Sequence, residues 1–164
     1  MALRSTIETL APDRVATSDL KRARNTANLL GFPGAELRTD LRENDVGNWT
    51  GHPIADLKAS DAGAYQGWRA GTVTPPGGEA WGAFRARTSA AILELAGEGI
   101  STLLVVAHGG VIRALLESFL DLTPERIIPV GPASLTILKR PEIGGMRLEL
   151  FNFSPTGPVL DAPD

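Results

Sequence analysis

The sequence has no cysteine and only two histidines, His52 and His108, in 164 residues. Without cysteine there is neither a disulfide nor a thiol nucleophile, which fits a reducing compartment. A structural zinc site usually needs four Cys or His ligands, so this count excludes one in practice. A carboxylate-rich magnesium site is not excluded by counting, but no Asp-x-Asp run suggests one. We therefore predict no metal and no other cofactor.

An excess of charge of one sign and long apolar runs are also missing. The 16 Lys and Arg residues against 19 Asp and Glu residues give a net charge of -3. Domains that bind nucleic acids are usually strongly basic, so no nucleic-acid partner is expected. No apolar run approaches the ~20 residues that span a bilayer, and residues 1–8 lack the apolar region of a secretory signal. We expect a cytoplasmic protein without a membrane partner.

Apolar periodicity alternates between helical and extended spacing along the chain. Helical spacing predicts helices over residues 3–11, from a cap at Ser18 or Asp19 to Gly31, weakly over 54–71, and over 79–95 and 110–120. Short apolar or alternating runs predict strands at 15–17, 36–39, 102–107, 134–138 and 146–151, the last two as an antiparallel pair. This order predicts one α/β domain over 1–164, a three-layer α/β/α sandwich with a mixed, mostly parallel sheet.

His108 follows a strand-length apolar run and precedes Gly109-Gly110 and an amphipathic helix. This order places its imidazole at the carboxyl end of a buried strand, beside the unpaired N–H groups of a helix N-terminus. Such a terminus attracts anions, and an imidazole beside it can bond a phosphate oxygen. A histidine that only caps the helix or bonds a carbonyl explains the same pattern.

A second strand-to-helix junction lies at Thr17-Ser18-Asp19-Leu20-Lys21-Arg22. Arg22 falls in the first helical turn and off the apolar stripe, so its guanidinium can bond a phosphate through two N–H groups. The alternative is a solvated basic face, which is the interpretation we keep for Lys21 and Arg24.

Two carboxylates accompany glycine-containing turns. Glu43 precedes a loop with Gly47, Trp49 and Gly51 and could serve as a general acid. A phosphate dianion bound nearby would raise the proton affinity of its carboxylate, as an acid that works at neutral pH requires. A surface pair with Arg42 or a lysine is the alternative for Glu43. Glu79 follows Pro76-Gly77-Gly78 at a predicted helix start, where capping the helix explains it adequately.

Taken together and in this order, four segments resemble the histidine phosphatase superfamily, also called phosphoglycerate mutase-like. They are Thr17 to Ala23, Leu41 to Gly51, Pro76-Gly77-Gly78-Glu79, and Val106-Ala107-His108-Gly109-Gly110-Val111-Ile112-Arg113. The resemblance implies a metal-independent phosphomonoester hydrolase that works through a phosphohistidine on a small phosphorylated metabolite. It implies that Arg22 clamps the phosphate, that Glu43 is the general acid or base, and that His108 holds the transferring group. Ser18 and Gly109 join Arg22 and His108 as expected phosphate-binding residues.

The family's defining Arg-His-Gly motif, which carries the nucleophilic histidine on the first central strand, is missing from this sequence. We expect the fold to lack that strand, which leaves the edges of its two neighbours open. Three explanations stay open: a longer natural chain, a short variant that binds phosphorylated ligands without turnover, or a strand donated by a partner. A homodimer is one such arrangement. His52, in Gly51-His52-Pro53, has the wrong context to replace the nucleophile.

The short spacing of 33 positions between Glu43 and Pro76 resembles the small phosphatases more than the mutases of the family. Residues 52–78 are expected to form a cap segment over the pocket, with Tyr65, Trp68 and Arg69 as candidate contacts to the substrate. Packing of the cap onto the core explains Tyr65 and Trp68 equally well. A phosphoglycerate mutase and a catalytically impaired phosphate-binding or regulatory module are the alternative functions.

Overall fold

The computed structural model of the chain describes residues 3–157, so the outermost parts of the predicted domain, 1–2 and 158–164, lie outside it. The main elements are α1 (Arg4–Leu10), β1 (Arg14–Ser18), α2 (Lys21–Leu30), β2 (Glu36–Arg38), α3 (Ile54–Ser60), α4 (Ala62–Arg69), α5 (Trp81–Leu95), β3 (Leu103–Val106), α6 (Gly109–Leu120), β4 (Leu135–Lys139) and β5 (Arg147–Phe153). Short 3₁₀ turns cover Thr39–Leu41, Gly47–Trp49 and Pro124–Arg126.

The strands form two sheets. β1 lies in the centre of a three-stranded parallel sheet of order β2-β1-β3, and β4 pairs with β5 in an antiparallel hairpin. The predicted antiparallel pair is therefore confirmed. The predicted single mixed sheet is instead two separate sheets, because β3 and β4 are not paired with each other. Among residues 3–157, β3 pairs only with β1 and β4 only with β5, so one edge of each strand has no strand partner.

Side chains of β3 alternate between two layers of helices. Leu104 and Val106 face a cluster built from α1 and α2, which includes Ile7 and Ala27. The neighbouring Leu103 and Val105 face the opposite cluster, with Leu95 and Ala91 of α5. The period of two along the strand thus produces the expected α/β/α layering.

Helix α6 packs on α5. Phe84 of α5 is fully buried against Val111 and Ala114 of α6. This contact holds the N-terminus of α6 beside the carboxyl ends of β1 and β3. Helix α5 begins at Trp81 rather than at residue 79, and Ala80 occupies its N-cap position.

The weak helical pattern over 54–71 corresponds to two short helices, α3 and α4. The break lies at Asp61, whose side chain accepts a hydrogen bond of 2.8 Å from the backbone N–H of Ala64 and caps α4. This is the side-chain capping expected of an aspartate at a helix start. Within residues 3–157, no helix has the length and apolar character needed to cross a membrane.

Candidate active site

The carboxyl ends of two adjacent parallel strands bring the candidate residues together. β1 ends at Ser18, just before α2, and β3 ends two residues before His108, just before α6. Because β1 and β3 pair in parallel, both helix N-termini lie at the same edge of the sheet. Ligands of open α/β sheets bind at this edge.

Arg22 and His108 are in direct contact. Nε–H of Arg22, in the first turn of α2, donates a 3.1 Å hydrogen bond to Nδ1 of His108. His108 is the N-cap residue of α6 and only 8% exposed. Burial, with added repulsion from Arg22 and Arg87, lowers the pKa of His108 from 6.5 to about 4.

This contact also determines the tautomer of His108. Because Nδ1 accepts a hydrogen bond, the proton of the neutral imidazole resides on Nε2. Nε2 is buried and has no hydrogen-bond partner among the described residues. Leaving a buried donor unsatisfied costs about 1–3 kcal/mol. His108 therefore presents an N–H group that an anion oxygen would satisfy.

Glu43 extends its carboxylate to the N-terminus of α6. Oε2 accepts a 3.0 Å hydrogen bond from the backbone N–H of Gly110, and Oε1 accepts one of 2.8 Å from that of Asn44. A Cβ at Gly110 would collide with this carboxylate, so the approach requires glycine. The anion that lies at the N-terminus of α6 in this structure is thus the carboxylate of Glu43. Arg42 does not pair with Glu43; it bonds Asp19 instead, at 2.7 Å.

Arg87 of α5 holds the segment that carries Glu43, a role that the sequence did not indicate. Its guanidinium donates to the backbone carbonyls of Asp40 (2.8 Å), Arg42 (3.0 Å) and Glu43 (3.4 Å). It also forms two 2.7 Å bonds to the carboxylate of Glu79. The expected helix-capping role of Glu79 is thus wrong, because its carboxylate is bonded to Arg87 and Ala80 is the N-cap of α5.

A cavity of about 630 Å³ opens beside these groups. Five of the predicted site residues line it: Arg22, Glu43, Trp68, Arg69 and Gly109. Further lining residues include Arg42, Asn44 and Arg113. Ser18 and His108 are not part of the lining, although His108 touches Arg22, which is. The cavity is large enough for a small organic ligand.

Ser18 makes a structural hydrogen bond just before α2. Its side chain is fully buried, and Oγ accepts a 3.3 Å hydrogen bond from the backbone N–H of Leu20. The predicted N-cap of α2 at Ser18 or Asp19 is wrong, because Leu20 is the N-cap residue. A phosphate contact by Ser18 stays a prediction.

The cap segment contributes an aromatic cluster. The ring of Trp68 contacts Trp49 edge-on at 6.1 Å between centroids and Tyr65 at 5.7 Å. Trp68 Nε1–H donates a 3.2 Å hydrogen bond to Oδ1 of Asn44. Tyr65 is only 4% exposed and lines a different cavity, of about 550 Å³, together with Arg69. This position favours the packing interpretation for Tyr65.

The second histidine lies apart from this site. His52 is exposed and is not among the residues that line the cavity. Residues 3–157 contain no group of three His, Asp or Glu side chains placed to hold a metal ion.

The family model of the histidine phosphatase superfamily (branch 1) matches residues 1–154, and the chain belongs to this family. Glucosyl-3-phosphoglycerate phosphatase of Mycobacterium tuberculosis is 37% identical over 124 residues, covering 68% of this chain and 56% of that protein. The 2,3-bisphosphoglycerate-dependent phosphoglycerate mutase of Brucella melitensis is 36% identical over 132 residues, covering 71% of this chain and 62% of the mutase.

The fold is similar to that of a solved mycobacterial enzyme. The complex of mycobacterial glucosyl-3-phosphoglycerate phosphatase with inorganic phosphate superposes with a TM-score of 0.78 and 30% identity. The match covers 96% of this chain and 84% of that structure. The phosphoglycerate mutase-like α/β fold is confirmed. The matched regions amount to little more than half the length of the two curated relatives.

Proposed function

We propose that this chain forms the phosphate-binding and proton-transfer part of a phosphomonoester hydrolase that acts on a small phosphorylated metabolite without a metal ion. The contact between Arg22 and His108 carries the proposal. It leaves the Nε2–H of His108 as a buried donor without a partner among residues 3–157, beside a guanidinium and a helix N-terminus. Family membership and the phosphatase relatives support the same reaction class.

In the proposed complex, the phosphate oxygens accept hydrogen bonds from Arg22 and from Nε2–H of His108. These donors stabilise the negative charge on the equatorial oxygens of the transferring phosphoryl group. The uncharged state of His108 suits this role, because a fixed N–H donor needs no protonation at neutral pH. Each such charge-assisted bond contributes about 1.5–3 kcal/mol.

Glu43 is the proposed general acid. It lines the same cavity as Arg22, and its carboxylate is held between two backbone N–H groups. In the proposed complex the carboxyl group of Glu43 donates a proton to the leaving oxygen of the substrate.

His108 is not the proposed nucleophile. Attack on phosphorus needs a nitrogen lone pair, but Nδ1 is bonded to Arg22 and Nε2 carries the proton. A phosphohistidine reaction therefore requires an imidazole from a further segment of the chain or from a partner. The open edges of β3 and β4 would accept a strand that carries it. Without that imidazole, the chain would be the phosphate-binding module named above as an alternative.

Titration calorimetry with inorganic phosphate tests the binding step. We expect the affinity to fall at least tenfold in Arg22→Met and in His108→Leu, because each variant loses the side-chain donor of a bond of roughly 1.5–3 kcal/mol. Arg24→Met, which changes an exposed arginine on the same helix, is the matched control. Equal affinity in wild type and Arg22→Met would refute the proposed site.

Hydrolysis of p-nitrophenyl phosphate separates the hydrolase from the binding module. Turnover that is lost in Glu43→Gln supports the hydrolase. Phosphate binding without turnover supports the module. Rapid turnover by a monomer of this chain that depends on His108 would contradict the statement that the reaction requires an imidazole from a further segment or from a partner.

A further inference from the structure

Asn44 connects the cap segment to the proposed general acid. It is 8% exposed, and its side-chain amide is bonded at both ends. Oδ1 accepts from Nε1–H of Trp68 on α4, and Nδ2 donates to the backbone carbonyl of Glu79, each at 3.2 Å. Its backbone N–H donates to Oε1 of Glu43 at 2.8 Å. Asn44 thus contacts the cap segment, the residue that precedes the N-cap of α5, and the carboxylate of Glu43.

The position of the Glu43 carboxylate depends on this connection. Its two oxygens are bonded to two different backbone N–H groups, one on Asn44 and one on Gly110. Gly110 lies on α6, which is fixed by its packing on α5. Asn44 lies in a stretch without helix or strand, where its two side-chain bonds fix its orientation together with the bond from Arg87 to the carbonyl of Glu43.

Trp68 lies where a ligand would affect it. Trp68 lines the same cavity as Arg22 and Glu43. A substrate group that shifts the indole would change the Nε1–H bond to Asn44, and with it the angle at which Asn44 holds Glu43. The indole N–H has no lone pair and only donates, so the bond cannot be reversed.

We infer that Asn44 is a positioning residue for Glu43 and couples the occupancy of the cavity beneath Trp68 to the placement of the proton donor. This inference rests on the proposed function of Glu43. The coupling predicts that substrates with a leaving group that reaches Trp68 gain in kcat, whereas inorganic phosphate, which has no leaving group, does not engage it. The specificity of the enzyme would then depend on the leaving group through proton transfer.

Trp68→Phe is the sharpest variant, because it keeps a six-membered aromatic ring and removes the N–H donor to Asn44 together with the five-membered part of the indole, and Trp49→Phe loses the same atoms one ring away. The amide resonance of Gly110 in a ¹H–¹⁵N correlation spectrum reports the bond to Oε2 of Glu43. We expect Trp68→Phe to shift this resonance and Asn44→Ala to shift it in the same direction. Trp49→Phe changes the aromatic neighbour of Trp68 that makes no bond to Asn44, and we expect it to leave the resonance in place.

An unchanged Gly110 resonance in Trp68→Phe would overturn the inference, and so would equal shifts in Trp68→Phe and Trp49→Phe, which would indicate general cap packing. These spectra need no ligand, so they stand apart from the proposed function, which fails if Arg22→Met binds phosphate as wild type does. With turnover measured, Trp68→Phe is expected to lower kcat for aryl phosphates by a larger factor than it lowers the affinity for inorganic phosphate. Equal losses in both would also overturn the inference.

Discussion

Replacing Gly110 by alanine tests the placement of Glu43 at the start of α6. Alanine is the better helix residue by about 0.5–1 kcal/mol, so an unobstructed substitution would stabilise the protein. Here the new methyl group meets the end of the Glu43 side chain, which can swing away. Displacing it breaks the 3.0 Å bond to Gly110, at a cost of about 1.5–3 kcal/mol for a bond to a charged group. We expect a net destabilisation of about 1 kcal/mol.

Urea denaturation measures this difference, and Gly82→Ala is the matched control. Gly82 also lies in the first turn of a helix, α5, and a Cβ there meets no atom within 4 Å. The two alanine variants should differ in their free energy of unfolding by about 2 kcal/mol, with Gly82→Ala the more stable. The difference should vanish when Glu43 is alanine as well. If Gly110→Ala stabilises the protein as much as Gly82→Ala does, Glu43 does not occupy the N-terminus of α6.

Two further predictions concern the buried His108 and the half-buried Arg87. Because the pKa of His108 falls from 6.5 to about 4, the unfolded chain binds the extra proton first, and stability should drop as the pH falls through this window, by roughly 3 kcal/mol in full. Urea titrations across pH 4–7 check this, and an equal slope in His108→Gln would contradict it. Arg87→Met loses three carbonyl bonds and the Glu79 pair, so we expect about 3 kcal/mol of destabilisation. Arg85→Met, which breaks a more exposed pair with Glu117, should cost under ~1 kcal/mol; equal losses would refute the role of Arg87.

The sequence predicted the residues that lie directly after strands. Strand-to-helix junctions are local patterns, and parallel pairing brings their carboxyl ends to one edge of a sheet whatever the rest of the chain does. Arg22 and His108 therefore meet as expected, at 3.1 Å. The end of α2 at Gly31 was equally predictable, because the residue adopts φ 102, a value that favours glycine.

Residues whose role depends on a distant backbone group could not be predicted in this way. Arg87 lies 44 to 47 positions from the carbonyls of Glu43 and Asp40, and nothing in the local pattern of α5 distinguishes it from Arg85. Asn44 bonds Trp68 across 24 positions and Glu79 across 35. Such contacts depend on tertiary packing, and the short cap helices show too little periodicity to place them.

The divided sheet and the tautomer of His108 lead to the same conclusion by separate routes. The sheet leaves open edges on β3 and β4, and both Leu104 of β3 and Leu135 of β4 pack against the cluster formed by α1 and α2. A single strand inserted there in parallel with β3 would end beside His108, at the edge of the sheet where β3 ends. An imidazole at that end would meet a phosphoryl group held by Arg22 and by Nε2–H of His108. Among residues 3–157, β3 and β4 thus leave an open position for a strand that could supply the imidazole that the proposed phosphohistidine reaction needs.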